Sequence, residues 1–503
     1  VKRLEAEKRI GAASPRDPDA FFAAGIALLR GDRPEQLLAP ARLAAAHHPK
    51  NARMQQLLGL AARATGDSRT ALDAFRQAAR LAPTDPLIAH SHARAALEAG
   101  KPAAALFDHA ARLAPADGAV LLGRAAAQVA DGNAAGAIAG LEALLAKNPL
   151  WYDGHRTLAR LRGQEGLDPA ATIAATLRQL PRQAELHHHL IAILLEARDV
   201  DGAAAAVAAA ETALGEAAWL TALAAHVASE RGRHDDADRR FAALGKPARI
   251  DLAAQLARHL VRTNRPDRAA QLIDEWIDGD TDRILWPYRA LAWRMTGDSR
   301  YEWLENDAMI GCHDLGPELG DIGDLADHLR ALHSARAAPL DQSVRGGTQT
   351  DGHLLLRDEP VVARLRTAIE KAVSFYIAQL PPPEAGHPTL IEDRDPVRFA
   401  GSWSVRLQGE GFHTDHVHSQ GWISSAFYVA VPDQPAEAKA RKEGWLSLGE
   451  SRDLVPGLAP LRLVEPKPGR LVLFPSTMWH GTRPFRSGER LTVAFDIARP
   501  PKG

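Results

Sequence analysis

The chain runs to 503 residues with 46% apolar and 24% charged side chains, which describes a folded protein large enough for two or three domains. Its 61 basic and 62 acidic side chains leave a formal charge of -1, so no net field draws it to nucleic acid or an anionic membrane. The single cysteine, Cys312, excludes an internal disulfide, and no apolar run reaches the roughly 18 residues of a membrane span. With a largely charged start, Val1–Lys8, these features predict a cytoplasmic protein with no nucleic-acid and no membrane partner.

The first 150 residues repeat. Gly31-Asp32, Gly66-Asp67, Gly100-Lys101 and Gly132-Asn133 each close an Ala/Leu-rich run. Pro49, Pro83, Pro115 and Pro149 follow in step, 34, 32 and 34 residues apart. The stretch Ala71–Pro86 nearly recurs at Ala105–Asp117. A period near 34 predicts helix–turn–helix units in which alanine permits close helix approach, glycine turns the chain and proline opens the next unit. This resembles tetratricopeptide repeats, well kept over about residues 17–165 and assigned to 1–165. Pro181, Gly232, Asn264 and Gly297 keep a looser rhythm, assigned to degenerate helical repeats at 166–310.

Trp276, Trp286, Trp293 and Trp303 cluster late in this region and are expected as core or domain-interface residues rather than as a ligand groove. No metal role is expected for His47-His48 or His187–His189, because consecutive helical positions face different ways.

Residues 311–355 break the rhythm and are expected as a junction rich in loops. Within it, Arg345 beside Gly346-Gly347 is either a surface turn or a clamp for an anion. Residues 356–503 carry a helix at Glu359–Leu380 and alternating strands at Ser402–Leu407, Trp422–Val431, Gly444–Leu448, Gly469–Phe474 and Arg490–Ile497. One face of each strand is large and apolar and the other small or polar, as in a barrel or sandwich with a working interior.

The chemistry concentrates in Gly411–His418, where His413, Asp415, His416 and His418 fall within six residues. His480 and Arg490 follow. A mononuclear iron(II) site takes about three protein ligands on one face, and residues i and i+2 of a strand point the same way. His416 and His418 meet that spacing, with His480 62 residues further on. So do His413 and Asp415, with His480 65 residues on. One extended strand cannot turn both pairs to a single ion. A carboxylate with two imidazoles favours His413/Asp415/His480 on chemistry alone.

His416-Val-His418, the strand Ser424–Tyr428, Gly469-Arg-Leu-Val-Leu-Phe-Pro-Ser-Thr-Met-Trp-His480 and then Arg490 resemble, in order and spacing, the 2-oxoglutarate/iron(II) oxygenases that follow tetratricopeptide repeats in bacterial and phage proteins. The likeness covers about residues 335–500. It implies an all-α tetratricopeptide-like solenoid followed by a double-stranded β-helix (jelly-roll) domain with flanking helices. It implies Fe(II) and 2-oxoglutarate as cofactors, with His416, His418 and His480 as metal ligands. His413 and Asp415 are not part of that pattern, so both ligand sets stay open. Arg490, Tyr428 and Arg406 are the candidate residues for 2-oxoglutarate, and Trp403, Trp422 and Trp479 the candidates for shaping the mouth. The repeats imply a peptide or protein substrate and, as a further expectation, a homodimer formed through them. An oxygenase of a small metabolite and an inactive barrel on a scaffold are the alternatives.

Overall fold

The computed structural model describes residues 17–501 other than 282 and 341. The charged start, Val1–Lys8, and Asp341 of the expected junction lie outside them. The described residues divide into two compact units, one running to Ala143 and including Gly352–Arg366, the other made of Leu144–Asp351 and Thr367–Pro500.

The first unit is built of helical hairpins. Its helices Ala52–Ala64, Ser68–Leu81, Pro86–Glu98 and Gly118–Ala130 start at Asn51, Asp67, Asp85 and Asp117, whose side chains accept backbone N–H groups of the first turn. Buried alanines, among them Ala61, Ala71, Ala78, Ala93 and Ala110, line the contacts. Glycine goes further at two places. A Cβ on Gly59 would stand 2.8 Å from Phe75, and one on Gly123 would stand 2.2 Å from Phe107.

Each hairpin turns through a residue with positive φ: Asp32, Gly66, Gly100, Gly132, Gly166, Arg198, Gly232, Asn264 and Gly297. The repeat rhythm therefore runs on through the stretch where its sequence signature fades. The signature fades partly because Arg198 and Asn264 stand where other turns use glycine. A side chain in the left-handed region costs about 1–2 kcal/mol.

In the second unit, helices from Tyr152–Gln164 to Arg300–Leu304 precede an antiparallel sheet domain. Its strands are β1 Gly311–Asp314, β2 Val344–Gln349, β3 Phe399–His413, β4 Gly421–Ala430, β5 Leu446–Leu448, β6 Arg462–Val464, β7 Arg470–Pro475, β8 His480–Thr482 and β9 Glu489–Ala498. A six-stranded sheet has the order β1-β7-β4-β9-β3-β2 and a three-stranded one the order β6-β5-β8. Tyr428, Leu446, Leu448, Val472, Phe474 and Met478 from both sheets form one buried cluster.

Within the expected junction, the segments β1 and β2 form the two edges of the larger sheet. Cys312 in β1 and Val344 in β2 are the only apolar side chains of these strands, so neither shows an apolar alternation to read. In β2 the register slips between Arg345 and Gly347, and Gly346 at φ +66° leaves its missing Cβ only 3.0 Å from the Gly411 Cα.

The late helices pack on the sheet domain. Leu260, Val261, Ala269, Leu291 and Ala292 bury Leu454 and Trp479. The Trp479 indole donates to the Pro287 carbonyl at 2.9 Å, and Arg283 donates to the carbonyls of Gln420 and Gly421 at 3.1 and 3.0 Å. Trp293 is buried with Ala290 and Leu304, flanked by Trp286 and Trp303. Trp303 donates to Glu384 at 2.6 Å.

Candidate metal centre

β3 ends at His413, and the chain then leaves the sheet. Thr414 N–H donates to the Ser343 carbonyl at 3.0 Å. His416 makes an isolated antiparallel bridge to His480, the first residue of β8, through two backbone hydrogen bonds of 2.9 and 3.0 Å. His418 N–H donates to the Ser476 carbonyl at 2.9 Å. These backbone bonds carry His416 and His418 across to His480. The candidate ligand atoms of the three side chains lie within 4.8 Å of one another.

Each of the three rings has its Nδ1 beside an acceptor. For His416 it is the Thr414 carbonyl at 2.8 Å, and for His480 the Met478 carbonyl at 3.0 Å. For His418 it is the Asp496 carboxylate, at 2.8 and 2.9 Å. An imidazole that donates from Nδ1 keeps its lone pair on Nε2, the tautomer a metal needs. Burial, and then the neighbouring His418, push His416 down to about 3. Burial and then His416 hold His480 well below the usual range. Uncharged rings are the ligating form.

Asp415 is turned elsewhere. Its carboxylate accepts from Arg452 N and Nε at 2.7 and 2.8 Å and is almost wholly buried. Gly481 makes room for it, since a Cβ there would stand 2.1 Å from Oδ1. His413 stacks on His416 at 6.0 Å, and Ser343 Oγ lies 3.0 Å from His413 Nδ1 and 3.2 Å from His416 Nε2.

Arg490 is 3% exposed on β9. Its Nη2 donates to Tyr428 Oη at 3.3 Å, and its Cζ stands 5.0 Å over the Tyr428 ring. Nε and Nη1 are buried without a hydrogen-bond partner among the described residues. Burial lowers the Arg490 guanidinium and raises the Tyr428 phenol. Arg406, by contrast, is held by Glu489 at 2.6 Å, which also accepts from Arg330. Of the three tryptophans expected at the mouth, Trp403 has its ring 5.6 Å from that of His418. Trp422 donates to the Thr389 carbonyl and Trp479 to that of Pro287, both buried.

Sequence reasoning missed Asp496, Ser343 and Arg452. Asp496 carried a signal: it is a carboxylate on the small-residue face of the last strand. Ser424, its neighbour on β4, donates to it at 2.6 Å.

Residues 401–496 match the family model described as "Putative 2OG-Fe(II) oxygenase". The matched segment spans the histidine cluster, Tyr428 and Arg490. No curated protein matches the chain. Solved structures similar to parts of it include a tetratricopeptide repeat protein from Parabacteroides merdae, with 16% identity, 48% of this chain and 98% of that one covered, and TM-score 0.30. A prolyl-4-hydroxylase from Pseudomonas putida has 17% identity, coverages of 38% and 94%, and TM-score 0.27. MamA from Desulfovibrio magneticus has 18% identity, coverages of 33% and 98%, and TM-score 0.29. These are likenesses only.

The residues fit the two groups that the description of the matching family model names. Three clustered imidazoles suit a divalent transition metal. A buried guanidinium with two unspent donors suits a carboxylate.

A second grouping, Glu185, His188 and His189, also has ligand atoms within 4.8 Å of one another. His187 of that tract is buried, beside the Pro181 carbonyl at 2.9 Å, while His189 stacks on Tyr152 and His188 packs edge-on to Trp219.

Among the described residues, no helix is long and apolar enough to cross a membrane.

Proposed function

We propose that this protein is an Fe(II)- and 2-oxoglutarate-dependent dioxygenase that hydroxylates a peptide or protein brought to the site by the helical repeats. The observation that carries the reading is the imidazole cluster of His416, His418 and His480, whose candidate ligand atoms lie within 4.8 Å of one another while each ring has its Nδ1 beside an acceptor. Arg490 supports it as the partner of the far carboxylate of 2-oxoglutarate, with the Tyr428 hydroxyl beside it.

When bound, iron(II) and 2-oxoglutarate supply the oxidation: dioxygen and the oxoacid become succinate, carbon dioxide and one hydroxyl inserted into a C–H bond. The chain's own residues hold and orient. The Thr414 and Met478 carbonyls and the Asp496 carboxylate fix tautomer and ring direction, which raises ligand basicity. Arg490 offers Nε and Nη1 to a carboxylate, and that pairing relieves the cost of its own burial. The helical hairpins, which stack small amphipathic units, support a peptide or partner protein as the substrate.

The test is succinate formation by the full chain with iron(II), 2-oxoglutarate and oxygen. His480→Ala is expected to lose it while the helical circular dichroism stays. Retained turnover in that variant overturns the reading.

A further inference from the structure

Two arginines near the candidate site are not used by this reading. Arg345 sits at the bulge of β2 and is half-buried. Its Nη1 donates to the carbonyls of Gln342 and Val344, and no carboxylate reaches it within ion-pair distance among the described residues. Arg198 comes from the turn between helices Ala184–Glu196 and Val200–Leu214, with φ +60° where most turns of the array have glycine. It is exposed, and its Nη2 donates to Thr414 Oγ1 at 3.0 Å.

Both residues meet the same small stretch of chain. Thr414 lies between His413 and His416 and hangs by its N–H on the Ser343 carbonyl. Ser343 is two residues before Arg345, and its hydroxyl is 3.2 Å from His416 Nε2. One cation thus comes from the repeats, bonded to Thr414, and one from the edge of the sheet, two residues along from Ser343. Their charges act on each other: burial and then Arg198 push Arg345 down to about 10, with the exposed Asp453 opposing. Neither Arg198 nor Arg345 has an ion-pair partner among the described residues.

Building on the oxygenase reading for the chemistry that follows, we infer that Arg198 and Arg345 together bind a carboxylate of the primary substrate and so select acidic substrates. A planar guanidinium offers paired N–H donors to a carboxylate, and two such groups held near each other gain more from an anion than either alone. The carboxylate belongs to an acidic peptide side chain or to a small free acid, and the experiment separates these.

Binding is measured on the full chain under argon, with and without iron(II) and 2-oxoglutarate, so its outcome does not depend on turnover. The probes are fluorescent hexaglutamate, hexaserine and hexalysine peptides, and free glutarate as competitor. Hexaglutamate is expected to bind at least tenfold tighter than hexaserine. Arg198→Glu and Arg345→Glu are each expected to weaken it at least tenfold. If charge reversal prevents folding, Arg198→Gln and Arg345→Gln are expected to weaken it about fivefold. Glutarate that competes only at far higher concentration identifies the peptide as the source. Glutarate that binds as tightly, with the same dependence on both arginines, identifies a small acid. Hexaglutamate bound no tighter than hexaserine, or affinity kept within twofold in the folded variants, overturns the assignment. Loss of succinate formation in His480→Ala is read separately and bears only on the oxygenase reading.

Discussion

The Asp496 carboxylate lies 2.8 Å from the Nδ1 of His418, so a residue of the last strand of the chain sets the direction of an imidazole 78 positions earlier. Ser424 donates to the same carboxylate, which leaves it few free positions. Asp496→Asn keeps the shape but can present an N–H to Nδ1 and turn the wrong tautomer to the metal. We expect metal affinity to fall about 10- to 100-fold with little change in melting temperature. Titration with cobalt(II) or iron(II) against a competing chelator checks this.

Arg490→Met should separate stability from function. The native guanidinium is buried and spends only one nitrogen on a hydrogen bond, to Tyr428. Replacing a poorly compensated buried charge by an apolar side chain of similar length is often neutral or stabilising. The melting temperature is therefore expected to hold or rise. The concentration of 2-oxoglutarate needed for half-maximal succinate formation is expected to rise at least tenfold.

Arg452→Ala removes the partner of a carboxylate that is 1% exposed. An unpaired buried charge is costly, and the partial exposure of Arg452 reduces the penalty to about 2–3 kcal/mol. Asp415→Asn in the same chain should recover much of that loss. Urea unfolding of the two single variants and the double variant gives the coupling.

Glu305 sets a pH dependence with a definite sign. Burial pushes its carboxyl up to about 8 from 4.5, against the pull of Arg294, and Oε1 has no partner among the described residues. Between those values the folded chain holds a proton that the unfolded chain has released. Its contribution to stability is whole below 4.5 and is lost as pH rises towards 8, at about 1.4 kcal/mol per pH unit. The urea midpoint should fall between pH 5.5 and 7.5 in the native chain. In Glu305→Gln it should fall less.

What could be read from the sequence follows from where apolar alternation survives. β4 and β9 lie inside the larger sheet and are almost wholly buried on one face, so their period of two was visible. β1 and β2 are edges, and β6 and β8 have three residues each, too few to show a period. The histidines themselves could be picked out. Which pair joins His480 could not, because that depends on β3 ending at His413 and on the bridge from His416 to His480. Arg198 and Thr414 are 216 positions apart, and no local pattern links them.

Trp479 precedes His480 by one peptide bond, and its indole is spent on Pro287 and on the helices around Leu291. Excising the sheet at Gly311 would therefore lay bare an oily face right beside a candidate ligand. Lesions among those helices, such as at Pro287, 192 positions before Trp479, would masquerade as defects of the metal site. A genetic screen for lost activity should accordingly return alleles at Leu291 and Ala292 alongside those at the histidines.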